Sequence, residues 1–265
     1  RVARAIKTVL RMTPAVGGAA VSSVLFLLLA RHLLDANALR ASNDEVGNYI
    51  QALGAIYAVL AAFVVYVVWG QFNDARIQCD REANELMDLS RIFEGLPASY
   101  CGPLQQQLSV YVTSVLEIEW PAMARNDDAA LEAASELLDP LWTTLHSLPV
   151  ETECQRALHV EALTRFNALA DARTSRLSSA RARIPLGLSM LLYFGGFSLV
   201  ASMGLVAIET FWIHAVTTAS LAAAVSHILY IVADLDDAFA GDWQVSRAPF
   251  EAAKRFIGKR CAALG

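Results

Sequence analysis

Four long apolar runs alternate with charged stretches along the chain, and each is long enough to cross a bilayer as a helix. They run from Pro14 to Leu34, Tyr49 to Phe72, Ile184 to Ile208 and Phe211 to Ala233. At about 1.5 Å of rise per residue, roughly 20 apolar residues cover a hydrocarbon core of about 30 Å. The second and third runs contain no charge. Only Glu209 and Thr210 separate the last two, which predicts a tight helical hairpin. In the first run Arg31 and His32 read as side chains snorkelling to the interface. Ala36-Asn37-Ala38 resembles a signal-peptide cleavage site, but an apolar run reaching Leu34 is long for a signal sequence and about right for a span. The chain opens on Arg1 rather than Met, so further residues are expected before it.

Between the second and third runs the pattern changes to helical amphipathicity. Ile77, Leu86, Leu89 and Phe93 recur at helical spacing, and no Gly-Pro break follows Gly70, so the second span should continue straight into this helix. Glu94-Gly95-Leu96-Pro97 should end it. A second helix is expected from Pro103 to Trp120-Pro121, and a third from Asp127 to His146, kinked or split at Pro140. A fourth runs from Glu151 to Arg181 with Leu158, Leu163, Phe166, Leu169 and Leu177 as its apolar stripe. Strand-like alternation of β-branched residues is absent, so no sheet is expected. The fold class is all-α: an integral membrane protein of four transmembrane helices with a helical bundle on one side. Its expected domains are 1–72 for the first two spans, 73–183 for the bundle, 184–234 for the hairpin and 235–265 for a C-terminal segment.

Charge distribution orients the spans. All of the 21 basic residues except Arg31 and Arg40 fall before the first span, in the insert or in the tail. The positive-inside rule therefore places both termini and the insert in the cytoplasm. Tyr66 and Trp69 sit where an interfacial aromatic belt would lie. Composition agrees: 55% of residues are hydrophobic and 18% charged, against about 25% in soluble domains. A net charge of −5 offers no basic excess for nucleic acid.

Candidate chemistry is sparse. The chain has no P-loop, no dinucleotide-binding glycine pattern, no H-E-x-x-H and no G-x-S-x-G, so no enzymatic activity is expected. Cys79, Cys101, Cys154 and Cys261 are far apart in sequence and read as buried, inert thiols. Glu117 and Glu119 could bind Ca²⁺, but the favoured reading is that they are solvated or pair with the insert arginines. Asp234, Asp236, Asp237 and Asp242 cluster after the fourth span, where Phe239-Ala240-Gly241-Asp242 reads as a shaped turn. His214, His227, Thr217, Thr218, Ser220 and Ser226 lie inside the fourth span, where helix packing is favoured over a conduction path.

Leu53-Gly54 through Val67-Val68-Trp69-Gly70-Gln71-Phe72-Asn73-Asp74-Ala75-Arg76 resembles the second membrane helix of bestrophins. Leu235-Asp236-Asp237-Ala238-Phe239-Ala240-Gly241-Asp242 resembles the segment after their last helix. Together with Glu119-Trp120-Pro121-Ala122-Met123, the Arg-rich helix and Ser246 to Phe250, these features look like the bestrophin-like family of bacterial membrane proteins, over residues 50 to 252. The resemblance implies a pentameric channel for inorganic ions whose second helix lines an apolar neck, with a Ca²⁺ clasp of carboxyl-terminal acids. Aligning the terminal Trp puts Gln51, Ala55 and Val59 at the neck, while a shift of face brings Ile56 and Phe63 inward. The clasp is reduced to Asp236, Asp237 and Asp242, so Ca²⁺ is a candidate cofactor without being a required one.

The leading expectation is an oligomeric bestrophin-like channel, or channel-related protein, of the bacterial inner membrane, surrounded by membrane lipids. Its rivals are a non-conducting structural or regulatory subunit that binds another membrane complex through the bundle, and a sensor, for which no output domain is visible.

Overall fold

The computed structural model describes the backbone of residues 2–264 and the side chains of residues 10–35, 37–134 and 136–262. Arg1 and the side chains of Arg4, Lys7 and Ala36, weighed above, lie outside the described residues. Among the described residues the regular elements are helical and no strand is present. Four helical stretches are long and apolar enough to cross a membrane: Leu10–Leu33, Asn43–Phe93, Glu153–Leu205 and Phe211–Leu235.

Helix α1 spans Val2–Leu33 and α2 Ala36–Ala41, the latter capped by the Asp35 carboxylate, which accepts from the Asn37 amide. Helix α3 runs unbroken through Asn43–Phe93, so the second span does continue into the insert, as the absence of a Gly-Pro break after Gly70 predicts. Pro14 was expected near the start of the first span, yet it lies inside α1. A proline removes one N–H donor, but a chain leaving the helix in an apolar environment would expose many more backbone groups.

The insert and tail supply α4 (Ala98–Ser114), a π-helical turn at Val115–Glu119, α5 (Trp120–Arg125), α6 (Asp128–Ala133), α7 (Asp139–His146), α8 (Glu153–Arg181) and α11 (Ala248–Leu264). Pro121 does not end its helix as expected. The π-turn immediately before it places the proline at the start of α5, where the missing N–H is tolerated. Pro140 does split its segment: a 3-10 turn at Ser135–Leu138 leads into α7, with the proline in the first turn. Thr152 and Gln155 form a reciprocal capping box that sets the start of α8.

Between α8 and the fourth span lie α9 (Leu186–Ser202) and a 3-10 turn at Met203–Leu205, followed by α10 (Phe211–Leu235). The connection is longer than the two residues expected, because Val206 is already extended. Side chains from other elements hold these residues outside the helix. Asn43 accepts from the Ala207 amide at 2.8 Å and donates to its carbonyl at 3.2 Å, Arg31 donates to the Ile208 carbonyl, and Arg40 pairs with Glu209 at 3.3 Å.

The chain forms two compact units. The membrane unit comprises Arg1–Gly70 and Arg183–Asp236, and the second unit Gln71–Ala182 and Asp237–Gly265. In the membrane unit α1 packs along α10, and α9 packs on both. Gly196 of α9 allows a close approach: a Cβ there would lie 2.8 Å from Val225 Cγ1 and 2.9 Å from Tyr57 Oη. The second unit is built around Trp120, which meets Phe239 edge-on at 5.2 Å and Phe250 at 5.8 Å between ring centroids. Leu86, Leu89 and Phe93 are buried in that core as their spacing predicts, whereas Ile77 is exposed and Ala75, Cys79 and Ala83 take the inward positions.

Candidate functional site

The apolar run of α3 has two unlike faces within the membrane unit. Tyr57, Ala61, Val64 and Val68, at helical spacing, are buried. Roughly opposite them, Ile56, Val59, Phe63 and Tyr66 are 69%, 73%, 56% and 76% exposed. Gln51 and Ala55 are exposed as well. All five candidate neck residues therefore share the uncovered side of α3. Val59 lies near its centre, Ala55 one turn away, and Ile56 and Phe63 toward one edge. A uniformly apolar helix hides this division in the sequence, because hydropathy alone gives every face the same rank.

Two members of the acidic cluster bind backbone amides. The Asp236 carboxylate accepts the Ile184 amide at 2.8 Å within the membrane unit. In the second unit Asp237 accepts from the Phe239 and Ala240 amides at 3.3 and 3.1 Å, shaping the turn that ends at Gly241, where φ is 78°. Asn126 also donates to Asp237 at 3.5 Å. Among the described residues no three His, Cys, Asp or Glu side chains come together as a metal cluster. Asp236 and Asp237 order local backbone, whereas Ca²⁺ takes about six to eight oxygen ligands.

The polar residues of the fourth span are dispersed. His214 is buried and its Nε2 lies 2.8 Å from the Met203 carbonyl, while His227 is exposed. Thr217 donates to the Ile213 carbonyl of its own helix at 2.9 Å. His214 thus helps to hold the 3-10 turn against α10, which is the packing role favoured above.

Glu119 pairs with insert arginines, one of the outcomes favoured for it above, and the ionic cluster extends to Glu82 and Tyr111, which the sequence reading did not single out. Arg176 of α8 is fully buried and donates through Nε to Glu82 Oε2 at 2.6 Å and through Nη2 to Glu82 Oε1 at 3.1 Å. Its Nη2 also reaches Glu119 Oε2. Arg173 donates to Glu119 Oε1 at 2.7 Å and to the Ala134 carbonyl at 2.8 Å. The Tyr111 hydroxyl donates to Glu82 Oε1 at 2.7 Å. The π-turn carries Glu119 into this cluster, while Glu117 stays outside and pairs with Lys254 at 3.1 Å.

Burial would raise the Glu119 carboxyl, but the Arg176 and Arg173 guanidiniums outweigh it and hold the group below its ordinary value. Burial and the Glu82 charge raise Tyr111 well above its usual range. Burial also pushes the Cys79 thiol up to about 12, so it is inert. Cys101 is likewise buried, whereas Cys154 is exposed and Cys261 half-buried, against the expectation that all four would be enclosed. The signal that could have found the cluster is the apolar company of Arg173 and Arg176, which share the buried face of α8 with Phe166, Leu169 and Ala172.

Comparison with known proteins matches this architecture. A bacterial bestrophin homologue from Klebsiella pneumoniae shares the fold with a TM-score of 0.71 at 12% identity, over 92% of this chain and 97% of that one. A single-substitution variant of that homologue superposes with a TM-score of 0.72 at 11% identity, over 91% and 98% of the two chains. A crystal structure described only as a membrane protein gives 0.71 at 12% identity, over 93% and 98%. No curated protein matches the chain. The model of the bestrophin-like domain matches residues 17–250, nearly the whole length, and the chain belongs to the bestrophin-like family.

Proposed function

We propose that the protein is an oligomeric, bestrophin-like ion channel of the bacterial inner membrane, with α3 of each subunit lining the pathway. The membrane unit lies in the bilayer and the second unit in the cytoplasm, together with both termini. The observation that carries the reading is the bare face of α3. Its inner side is packed by Tyr57, Ala61, Val64 and Val68, while Val59 and its neighbours on the other side stay uncovered in the single chain. In a ring of subunits, five being favoured, that side surrounds the axis. Ala55, Val59 and Phe63 then form an apolar constriction that impedes ions by dewetting. In this reading Asp237 shapes the turn after α10, Asp236 ties down the start of the third span at Ile184, and conduction does not require Ca²⁺.

The test begins with the mass of the detergent-purified protein by light scattering, corrected for bound detergent, followed by planar-bilayer recording. A homopentamer whose currents rise several-fold in Val59→Ser, persist in a calcium chelator and keep their basal level in Asp237→Asn supports the proposal. A monomer, or a pentamer silent both as wild type and as Val59→Ser, overturns it.

A further inference from the structure

A cavity of about 380 Å³ lies within the membrane unit between α1, α9 and α10. Ser23 and Phe26 of α1, Gly196 and Phe197 of α9, and Ala222 and Val225 of α10 form much of its wall. These residues fall near the middle of the spans Leu10–Leu33 and Phe211–Leu235 and of helix Leu186–Ser202. The cavity is therefore level with the hydrocarbon centre of a bilayer, far from the headgroups. Phe26 and Phe197 are themselves exposed, so the space opens onto the outside of the helices rather than being sealed.

Its chemistry selects an apolar guest. The buried hydroxyl on the wall, Ser23, donates at 2.8 Å to the Ala20 carbonyl of its own helix. Ser22, Ser226 and Tyr193 also border the space, but nearly all of its open wall is apolar, so an ordered water, which needs about two to four polar partners, is poorly held there. The volume lies within the range of roughly 300–1,000 Å³ typical of small-molecule sites. It is also more than double the roughly 150 Å³ of an engineered apolar cavity that stays dry and takes up benzene. Left empty, the lining loses dispersion contacts on one side. The molecules that surround a membrane helix at this depth are lipid tails.

We propose that this cavity is a binding site for a lipid acyl chain, whose methyl end enters from the bilayer and completes the packing of α1, α9 and α10. The site requires only that the membrane unit lie in lipid, so a failure to conduct leaves it standing.

The full chain is reconstituted in vesicles of phosphatidylethanolamine and phosphatidylglycerol containing a trace of phospholipid with a diazirine near the methyl end of one chain. After photolysis the labelled residues are mapped by peptide mass spectrometry. The inward-facing Ser23, Ala222 and Val225 are expected to label at least as strongly as the exposed Leu25, Leu29 and Val216. Ala222→Phe should lower labelling of Ser23 and Val225 several-fold while leaving Leu29 unchanged, and Ala19→Leu fills a different part of the wall if Ala222→Phe fails to fold. Label confined to the exposed residues overturns the proposal, as does wall labelling indifferent to a folded filling variant. So does an unlabelled wall accompanied by a disulfide between two copies of a Ser22→Cys variant, which would assign the space to a neighbouring subunit.

Discussion

Arg176 and Glu82, which lie 94 residues apart in sequence, meet side-on through two nitrogens and two oxygens in the interior of the second unit, both side chains being fully buried. The pair joins α8 to the part of α3 beyond the membrane unit, and Tyr111 and Glu119 complete its hydrogen bonding. Removing one partner strands the other charge, which typically costs about 3–5 kcal/mol. Glu82→Gln and Arg176→Met should each destabilise the second unit by roughly that amount, measured by chemical unfolding in detergent. The double variant should lose less than the sum of the two. Simple additivity would mean that the charges are not coupled.

Acid should weaken the same cluster through Glu119. Its carboxyl is depressed below the ordinary 4.5 because Arg176 and Arg173 outweigh burial. A carboxylate whose pKa is lowered on folding stabilises the protein fully above the unfolded value and loses that contribution as pH falls through the folded one. The melting temperature should therefore fall as pH drops below about 4.5, and Glu119→Gln should flatten that limb while lowering stability at neutral pH. Thermal melts across the acid range compare the two proteins, and an identical acid limb in both would contradict the assignment.

Gly196 tests the closeness of three membrane helices. An added methyl would meet Val225 Cγ1 at 2.8 Å and the Tyr57 hydroxyl at 2.9 Å. Overpacking of this kind costs about 1–3 kcal/mol. Gly196→Ala should lower the melting temperature in detergent, whereas Gly187→Ala, with no neighbour within 4 Å of its added carbon, should leave it nearly unchanged.

Asn43 is expected to hold the connection between α9 and α10. It satisfies both backbone groups of Ala207, and each such bond contributes about 0.5–1.5 kcal/mol net. In Asn43→Ala the Ala207 amide should exchange with deuterium faster, by roughly tenfold for about 1.4 kcal/mol, while amides in the middle of α10 keep their protection. Unchanged exchange at Ala207 would show that Arg31, which binds the Ile208 carbonyl, is sufficient alone.

The membrane character, the four spans and the long α3 were legible in the sequence because each depends on local properties. Twenty or so consecutive apolar residues have few stable options in lipid other than a helix, and no breaker follows Gly70. The resemblance carried by the Trp69 and Phe239 segments likewise survived as family membership. Tertiary structure decided what depends on partners distant in sequence. Val206 to Ile208 are apolar enough to extend a span, yet they lie outside it because Asn43 and Arg31 bind their backbone. The insert holds ten arginines and the sequence does not say which of them meet Glu119; the π-turn at Val115–Glu119 brings that carboxylate to Arg173 and Arg176 in the core. The uncovered face of α3 is decided in the same way: Val59 and Val64 are chemically identical, and only the packing of the other helices buries one and leaves the other bare.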